Sequence, residues 1–184
     1  MGRSATRDVL TPAGYRLMAT VHALESKPRV KVGILGRDFN QPKAEDGQGK
    51  NAKPPAFAKL VTVGMVGVWA EFGTETEPER SWLRSTVDEK WREWGKAAGE
   101  LKKKMLDGTL DTDRALGLMG ARIERDIKAK IRSNIGPPNA PSTLRAKAPK
   151  THTLINTGQF VNSIAWELIS GQSGAAGYRP IGAE

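Results

Sequence analysis

Apolar positions follow different rhythms along this chain, and each rhythm predicts an element. Thr11-Pro12 reads as a helix start, with Thr as N-cap and Pro at the first helical position. Tyr15, Leu17, Met18, Val21 and Leu24 then give a helical stripe over 12–25. From Arg29 to Gly36 the pattern alternates, with Val30, Val32 and Ile34 on one face and Lys31, Gly33 and Leu35 on the other, which predicts a half-buried strand. Residues 37–56 lose all rhythm and are rich in Gly, Pro, Lys, Asn and Gln, predicting a long exposed loop. Phe57 to Phe72 is the most apolar stretch. A short helix over 63–71, ended by Gly73 as a left-handed C-cap, fits it better than a strand, although 57–64 could supply a third strand.

The strongest periodicity follows. With Ser81 as cap, Leu83, Val87, Trp91, Trp94, Ala98, Leu101 and Met105 recur three or four residues apart, as on one face of a long helix. If that stripe is core, Trp91→Ala costs about 3–5 kcal/mol and Lys102→Glu is near neutral. Asp107-Gly108 is a turn, and Asp111 or Thr112 caps a second long helix whose apolar face is Leu116, Met119, Ile123, Ile127 and Ile131. Two long helices joined by a short turn predict an antiparallel hairpin, stopped by Pro137 and Pro138. A short helix over Ser142 to Lys147, another over Gly158 to Asn162 anchored by Phe160 and Val161, and a strand with Ile164, Trp166 and Leu168 on one face complete the pattern. The predicted fold is α+β: a small antiparallel sheet packed against a long antiparallel helical hairpin, with extended loop and terminal arms. Residues 1–170 form a single domain containing the exposed loop 37–56, and 171–184 form a flexible or extended arm.

Composition narrows the chemistry. The 184 residues contain no Cys, which excludes disulfide scaffolds, thiol catalysis and Cys-based metal centres, and two His cannot build a His-rich metal site. No apolar run approaches the roughly 18–20 residues that span a bilayer. Met1 to Leu10 lacks the apolar run of a secretory signal, so cytosolic synthesis is expected. The net charge of +9 is uneven: residues 101–150 hold 12 basic and 5 acidic side chains, +7 in all. Arg122, Arg125, Lys128, Lys130 and Arg132 crowd the second long helix, with Lys147 beyond it. A solvated helix side, an acidic protein neighbour or passing DNA would all suit them.

Catalytic patterns do not assemble. Gly47-Gln48-Gly49-Lys50-Asn51 lacks the spacing and closing hydroxyl of a phosphate loop. Glu71, Glu75, Glu77 and Glu79 could in principle attract a divalent cation, but a solvated acidic turn or salt-bridge partners fit their spacing better. His152 reads as a surface residue. The tryptophans read as core or interface rather than as base-stacking platforms. No enzyme and no cofactor are expected.

Two blocks carry a resemblance. The first is Trp69-Ala70-Glu71-Phe72-Gly73-Thr74 followed by Pro78-Glu79-Arg80-Ser81-Trp82-Leu83-Arg84. The second is Pro138-Asn139-Ala140-Pro141-Ser142-Thr143, then Lys147, then Thr153-Leu154-Ile155-Asn156-Thr157-Gly158-Gln159-Phe160, ending in Ser163-Ile164. In this order around a helical hairpin, over roughly residues 60–165, they resemble the neck and tail-completion proteins of long-tailed double-stranded DNA phages, related to virion morphogenesis and minor tail proteins.

The resemblance implies a structural virion protein made in the host cytoplasm, a subunit of a ring at the head–tail junction or the top of the tail, with six-fold symmetry as the family expectation. Its partners would be further copies of itself, a tail terminator or tail-tube protein and head–tail connector or adaptor proteins. Weak nonspecific contact with DNA in the channel is also implied, and no membrane. Interface candidates are Glu71, Phe72, Arg80, Trp82, Phe160 and Trp166; candidates for the DNA channel or an acidic partner are Arg122, Arg125, Lys128, Lys130, Arg132 and Lys147. The alternative function is sequence-nonspecific nucleic-acid binding, argued from the basic charge.

Overall fold

Thr11 does cap the first helix. In a computed structural model, which describes residues 11–39 and 61–169, its hydroxyl accepts from the Gly14 N–H at 3.2 Å and α1 runs Pro12–Glu25. Strand β1 (Arg29–Ile34) follows, then a single helical turn, α2 (Gly36–Phe39), where only loop was predicted. The rest of the predicted loop and the predicted C-terminal arm lie outside the described residues. Helices α3 (Val63–Phe72), α4 (Arg84–Leu106), α5 (Thr112–Arg132), α6 (Pro141–Lys147) and α7 (Gln159–Asn162) lead to strand β2 (Ile164–Ile169).

The two strands pair antiparallel, with Val32 opposite Trp166 and Ile34 opposite Ile164, and they are the only strands of the sheet among the described residues. Alternation puts Val30, Val32, Ile34, Ile164, Trp166 and Leu168 on one face. That face meets α5, and α4 lies against α5 in turn. Contacts between α4 and α5 step in opposite directions along the chain, Lys130 with Glu89 and then Asp126 with Trp94, so the helices form the predicted antiparallel hairpin. The protein is thus α+β. Its core joins Val63, Trp82, Ile127, Ile131, Phe160, Val161 and Ile164, drawn from α3, α5, α7, β2 and the approach to α4.

Helix and sheet approach closely because α5 presents glycines there. A Cβ at Gly120 would fall 2.8 Å from both Trp166 Cδ2 and Val30 Cγ2, and one at Gly117 would fall 3.2 Å from Trp166 Cη2. The Trp166 ring therefore occupies space that only glycine leaves free. Gly120→Ala should destabilise the protein by about 1–3 kcal/mol, overpacking outweighing the gain in helix propensity. Gly99→Ala, on an open side of α4 with nothing within 4 Å, should stabilise it by up to about 1 kcal/mol. Urea unfolding of the two variants checks the contrast, and equal effects would dismiss the packing argument.

Two helix boundaries differ from prediction. Gly73 has the positive φ expected of a C-cap, 73°, but its ψ of 177° is extended rather than left-handed helical. It sends the chain into a reversal in which the Thr74 N–H donates to Glu77 O at 2.8 Å. Helix α4 begins at Arg84 rather than directly after Ser81, and Leu83 at its N-cap supplies no side-chain bond. Something else must satisfy its first N–H groups.

The face of α4 also differs. The inward stripe is Thr86, Lys90, Trp94, Ala97, Leu101 and Met105, of which Thr86 and Ala97 are buried and the others half-buried. Val87, Trp91 and Ala98 point outward, and Trp91 is 59% exposed. Trp94, Leu101 and Met105 belong to both stripes. At the start of the helix the buried face lies one residue, about 100° of helix, from the predicted one.

Candidate assembly surface

Helix α4 is capped from a distance. Glu71, in the last turn of α3, is 4% exposed, and its carboxylate is the acceptor that the start of α4 lacks. Oε2 accepts from the N–H groups of Trp82 at 2.9 Å and Leu83 at 2.8 Å. Oε1 accepts from the Arg84 N–H at 2.9 Å, the Arg84 Nε at 2.9 Å and the Ser81 hydroxyl at 2.8 Å. A negative charge at a helix N-terminus also lies at the favourable end of the dipole. Burial by itself would raise the Glu71 pKa. The bonds from Leu83, Arg84 and Ser81 and from the Arg84 side chain outweigh it and hold the carboxyl below its ordinary value. Ser81 is a link in this network: it donates to Glu71 and accepts from the Ser85 N–H at 3.2 Å.

The two motif blocks meet in space. Arg80, 6% exposed, donates through Nε to Pro137 O at 2.9 Å and through Nη2 to Pro138 O at 3.4 Å and Asn139 Oδ1 at 3.5 Å. Asn139 Nδ2 donates onward to the His152 carbonyl at 3.2 Å. Asn134, held at φ 62°, accepts the Thr153 N–H at 2.8 Å, while the Thr153 hydroxyl donates to Ile135 O at 2.9 Å. Trp82 donates through Nε1 to Gly67 O at 2.9 Å and meets Phe160 edge to face, with ring centroids 5.3 Å apart. The blocks that are far apart in sequence are one clamp around the base of the hairpin.

That clamp changes what the predicted interface residues do. Glu71, Arg80, Trp82 and Phe160 are buried and hold the fold together, and Trp166 is half-buried against α5. Phe72 alone of the six stands out from the surface, 62% exposed, with the Arg84 guanidinium 4.7 Å above its ring. Exposed residues outside that set of six extend the surface. Val68 and Trp69 share the exposed side of α3, and Val87 and Trp91 continue along α4 from Arg84, with Arg92 over the Trp91 ring at 5.4 Å. Exposed aromatics interleaved with arginine are the composition of interface cores.

The predicted basic face is largely engaged within the chain. Arg125 pairs with Asp126 at 2.9 Å, Lys128 with Glu124 at 2.5 Å, and Lys130 with Glu89. Asp126 also accepts from Trp94 Nε1 at 2.8 Å. Burial would raise its pKa, but the bonds from Trp94 and Arg125 and the nearby charges of Arg125 and Arg122 lower it. Arg122 is half-buried, and its Nε has no hydrogen-bond partner among the described residues. It lines an open hollow of about 450 Å³ between α4 and α5. Arg132 is exposed at the end of α5. Lys147 lies in α6, and its side chain falls outside what the structure describes.

The acidic turn is not built as a metal cage: Glu71 caps α4, Glu77 pairs with Arg80 at 3.4 Å and Glu79 with Arg84 at 2.6 Å. Among the described residues no cluster of His, Asp or Glu is arranged to hold a metal ion, and no helix is long and apolar enough to cross a membrane. Comparison with family models, with characterised proteins and with solved structures yields no match.

Proposed function

We propose that this chain is a structural subunit of the phage head–tail junction or the top of the tail, a ring-forming neck or tail-completion protein that works through complementary surfaces and makes or breaks no covalent bond. The observation that carries this reading is the meeting of the two resemblance blocks in one clamp, Arg80 onto Pro137–Asn139 and Trp82 onto Phe160. The likeness to that family therefore rests on one spatial module rather than on scattered short matches. The exposed aromatic ridge of α3 and α4 supplies a surface with which such a subunit could bind neighbours. Its partners in this reading are further copies of itself, tail terminator or tube subunits, and connector proteins, within the virion. In-chain pairing of Arg125, Lys128 and Lys130 weakens their attraction for phosphate, which suits a channel that DNA must leave freely.

The test is deletion of the reading frame from a phage genome that carries it. Filled heads and finished tails are expected to accumulate unjoined, with plaque titre falling by orders of magnitude and returning when the chain is supplied in trans. Particles that join and infect normally without it would overturn the reading.

A further inference from the structure

Helix α4 carries two glycines that its own fold does not use. A Cβ at Gly95 or Gly99 would meet nothing within 4 Å, although glycine weakens the interior of a helix. Gly120 of α5 is the contrast, since it makes room for Trp166. Gly95 lies on a seam with Asp88, Trp91, Ala98 and Lys102, all of them exposed and spaced alternately three and four residues apart. That spacing keeps one stripe of a helix turned toward a second helix packed along it. The seam holds both halves of a knob-into-hole contact. Trp91, 59% exposed, is the knob. Gly95, Ala98, Gly99 and Lys102, at i, i+3, i+4 and i+7, frame a hole with bare backbone at its floor.

We infer that α4 pairs antiparallel with α4 of a second copy, each Trp91 seated over Gly95, Ala98 and Gly99 of the other. Shape selects this occupant. A helix cannot place its own knob in its own hole, and a second copy brings the matching knob and the matching hole on the same stripe. The order along the seam selects the direction. Antiparallel helices set the Trp91 end of each opposite the glycine end of the other, and the same offset brings Asp88 opposite Lys102. Neither of those two side chains is ion-paired among the described residues. A parallel pair would stack Trp91 on Trp91, Asp88 on Asp88 and Lys102 on Lys102. Of the neighbouring cations, Arg84 stays bound to Glu71 and Glu79, and Arg92 lies over the Trp91 ring. The contact is isologous and closes at two copies. It therefore stands apart from the ring reading, which needs contacts between unlike surfaces, and it keeps Trp91 out of water in copies that have not assembled.

Sedimentation velocity of the full chain tests this. Wild type should form a dimer at micromolar concentration. Gly95→Gln/Gly99→Gln fills the hole with side chains that have open space in the single chain and favour a helix. It should dimerise at least about tenfold more weakly, while urea unfolding at submicromolar concentration finds it at least as stable as wild type. Trp91→Ala, which removes the knob, should weaken the dimer to a similar degree. Asp88→Lys sets two lysines opposite each other and should weaken it several-fold, and Asp88→Lys/Lys102→Asp should restore it, because only antiparallel helices re-form that pair. A wild type that stays monomeric or a glycine variant that dimerises normally would overturn the contact. A double charge variant no better than Asp88→Lys alone would overturn its antiparallel direction. Larger species that persist in the glycine variant would count against this contact and for the ring, which the gene deletion judges separately.

Discussion

Replacing Glu71 with alanine is expected to lower the unfolding free energy by about 3–5 kcal/mol, a large part of what a domain of this size has to lose. The substitution strips the acceptor from the N–H groups of Trp82, Leu83 and Arg84 and from the Ser81 hydroxyl at once. The Trp82 and Leu83 groups lie in buried or half-buried surroundings, where an unmade bond costs more than the made bond gains. Arg84 loses its bonds to the carboxylate as well. Glu71→Gln keeps the shape, replaces one acceptor oxygen with a donor that faces other donors, and should cost about half as much. Urea unfolding at constant slope is the measurement, and a cost below about 1 kcal/mol for alanine would mean that the start of α4 is satisfied by solvent.

The same carboxylate gives the protein an acid signature. Its pKa is lower folded than the ordinary 4.5, so the folded state binds fewer protons there than the unfolded chain. Its stabilisation is then fully present above about pH 5 and is lost as pH falls through the folded value. Asp126 is lowered too and acts in the same direction. Glu71→Gln should flatten the acid limb of the stability curve without abolishing it, leaving the slope due to Asp126. An unchanged limb would show that Glu71 is not the titrating cap.

The sequence foretold the order of elements well because most of them announce themselves locally. Thr11 and Asp111 cap their helices through their own hydroxyl and carboxylate, and alternation fixed both strands. The start of α4 was misplaced because its cap is not local: the acceptor sits 11 to 13 residues upstream, on another helix. The facing of α4 was misjudged for a different reason. Size and hydropathy point to Val87 and Trp91 as core, but the inner stripe uses Thr86, Lys90 and Ala97, and the contact with α5 at that end is polar, through Trp94 with Asp126 and Glu89 with Lys130. The candidate surface is hidden from sequence for the same reason, because Val87 and Trp91 fit the period of a core stripe. Conversely, Glu71, Arg80, Trp82 and Phe160 stood out as motif residues, and a motif does not distinguish a residue that touches a partner from one that holds the scaffold.

Trp82→Ala and Trp91→Ala separate those two roles, and the first should cost about 3–5 kcal/mol while the second changes folding stability by less than about 0.5 kcal/mol. Trp82 is 5% exposed, packs on Phe160 and donates to Gly67 O. Its removal opens a void where α3, α7 and the approach to α4 converge, and frees a buried carbonyl. Trp82→Phe should recover most of the packing and leave a residual cost of about 1–2 kcal/mol for the lost bond. Trp91 is mostly solvated and touches Arg92, so truncating it removes little from the folded chain. Under the proposed assembly role, the chain carrying Trp91→Ala should therefore be made, fold and unfold like wild type, yet join particles poorly, whereas Trp82→Ala should fail earlier, as loss of folded protein. Equal unfolding costs for the two would return Trp91 to the core and remove the ridge as an assembly surface.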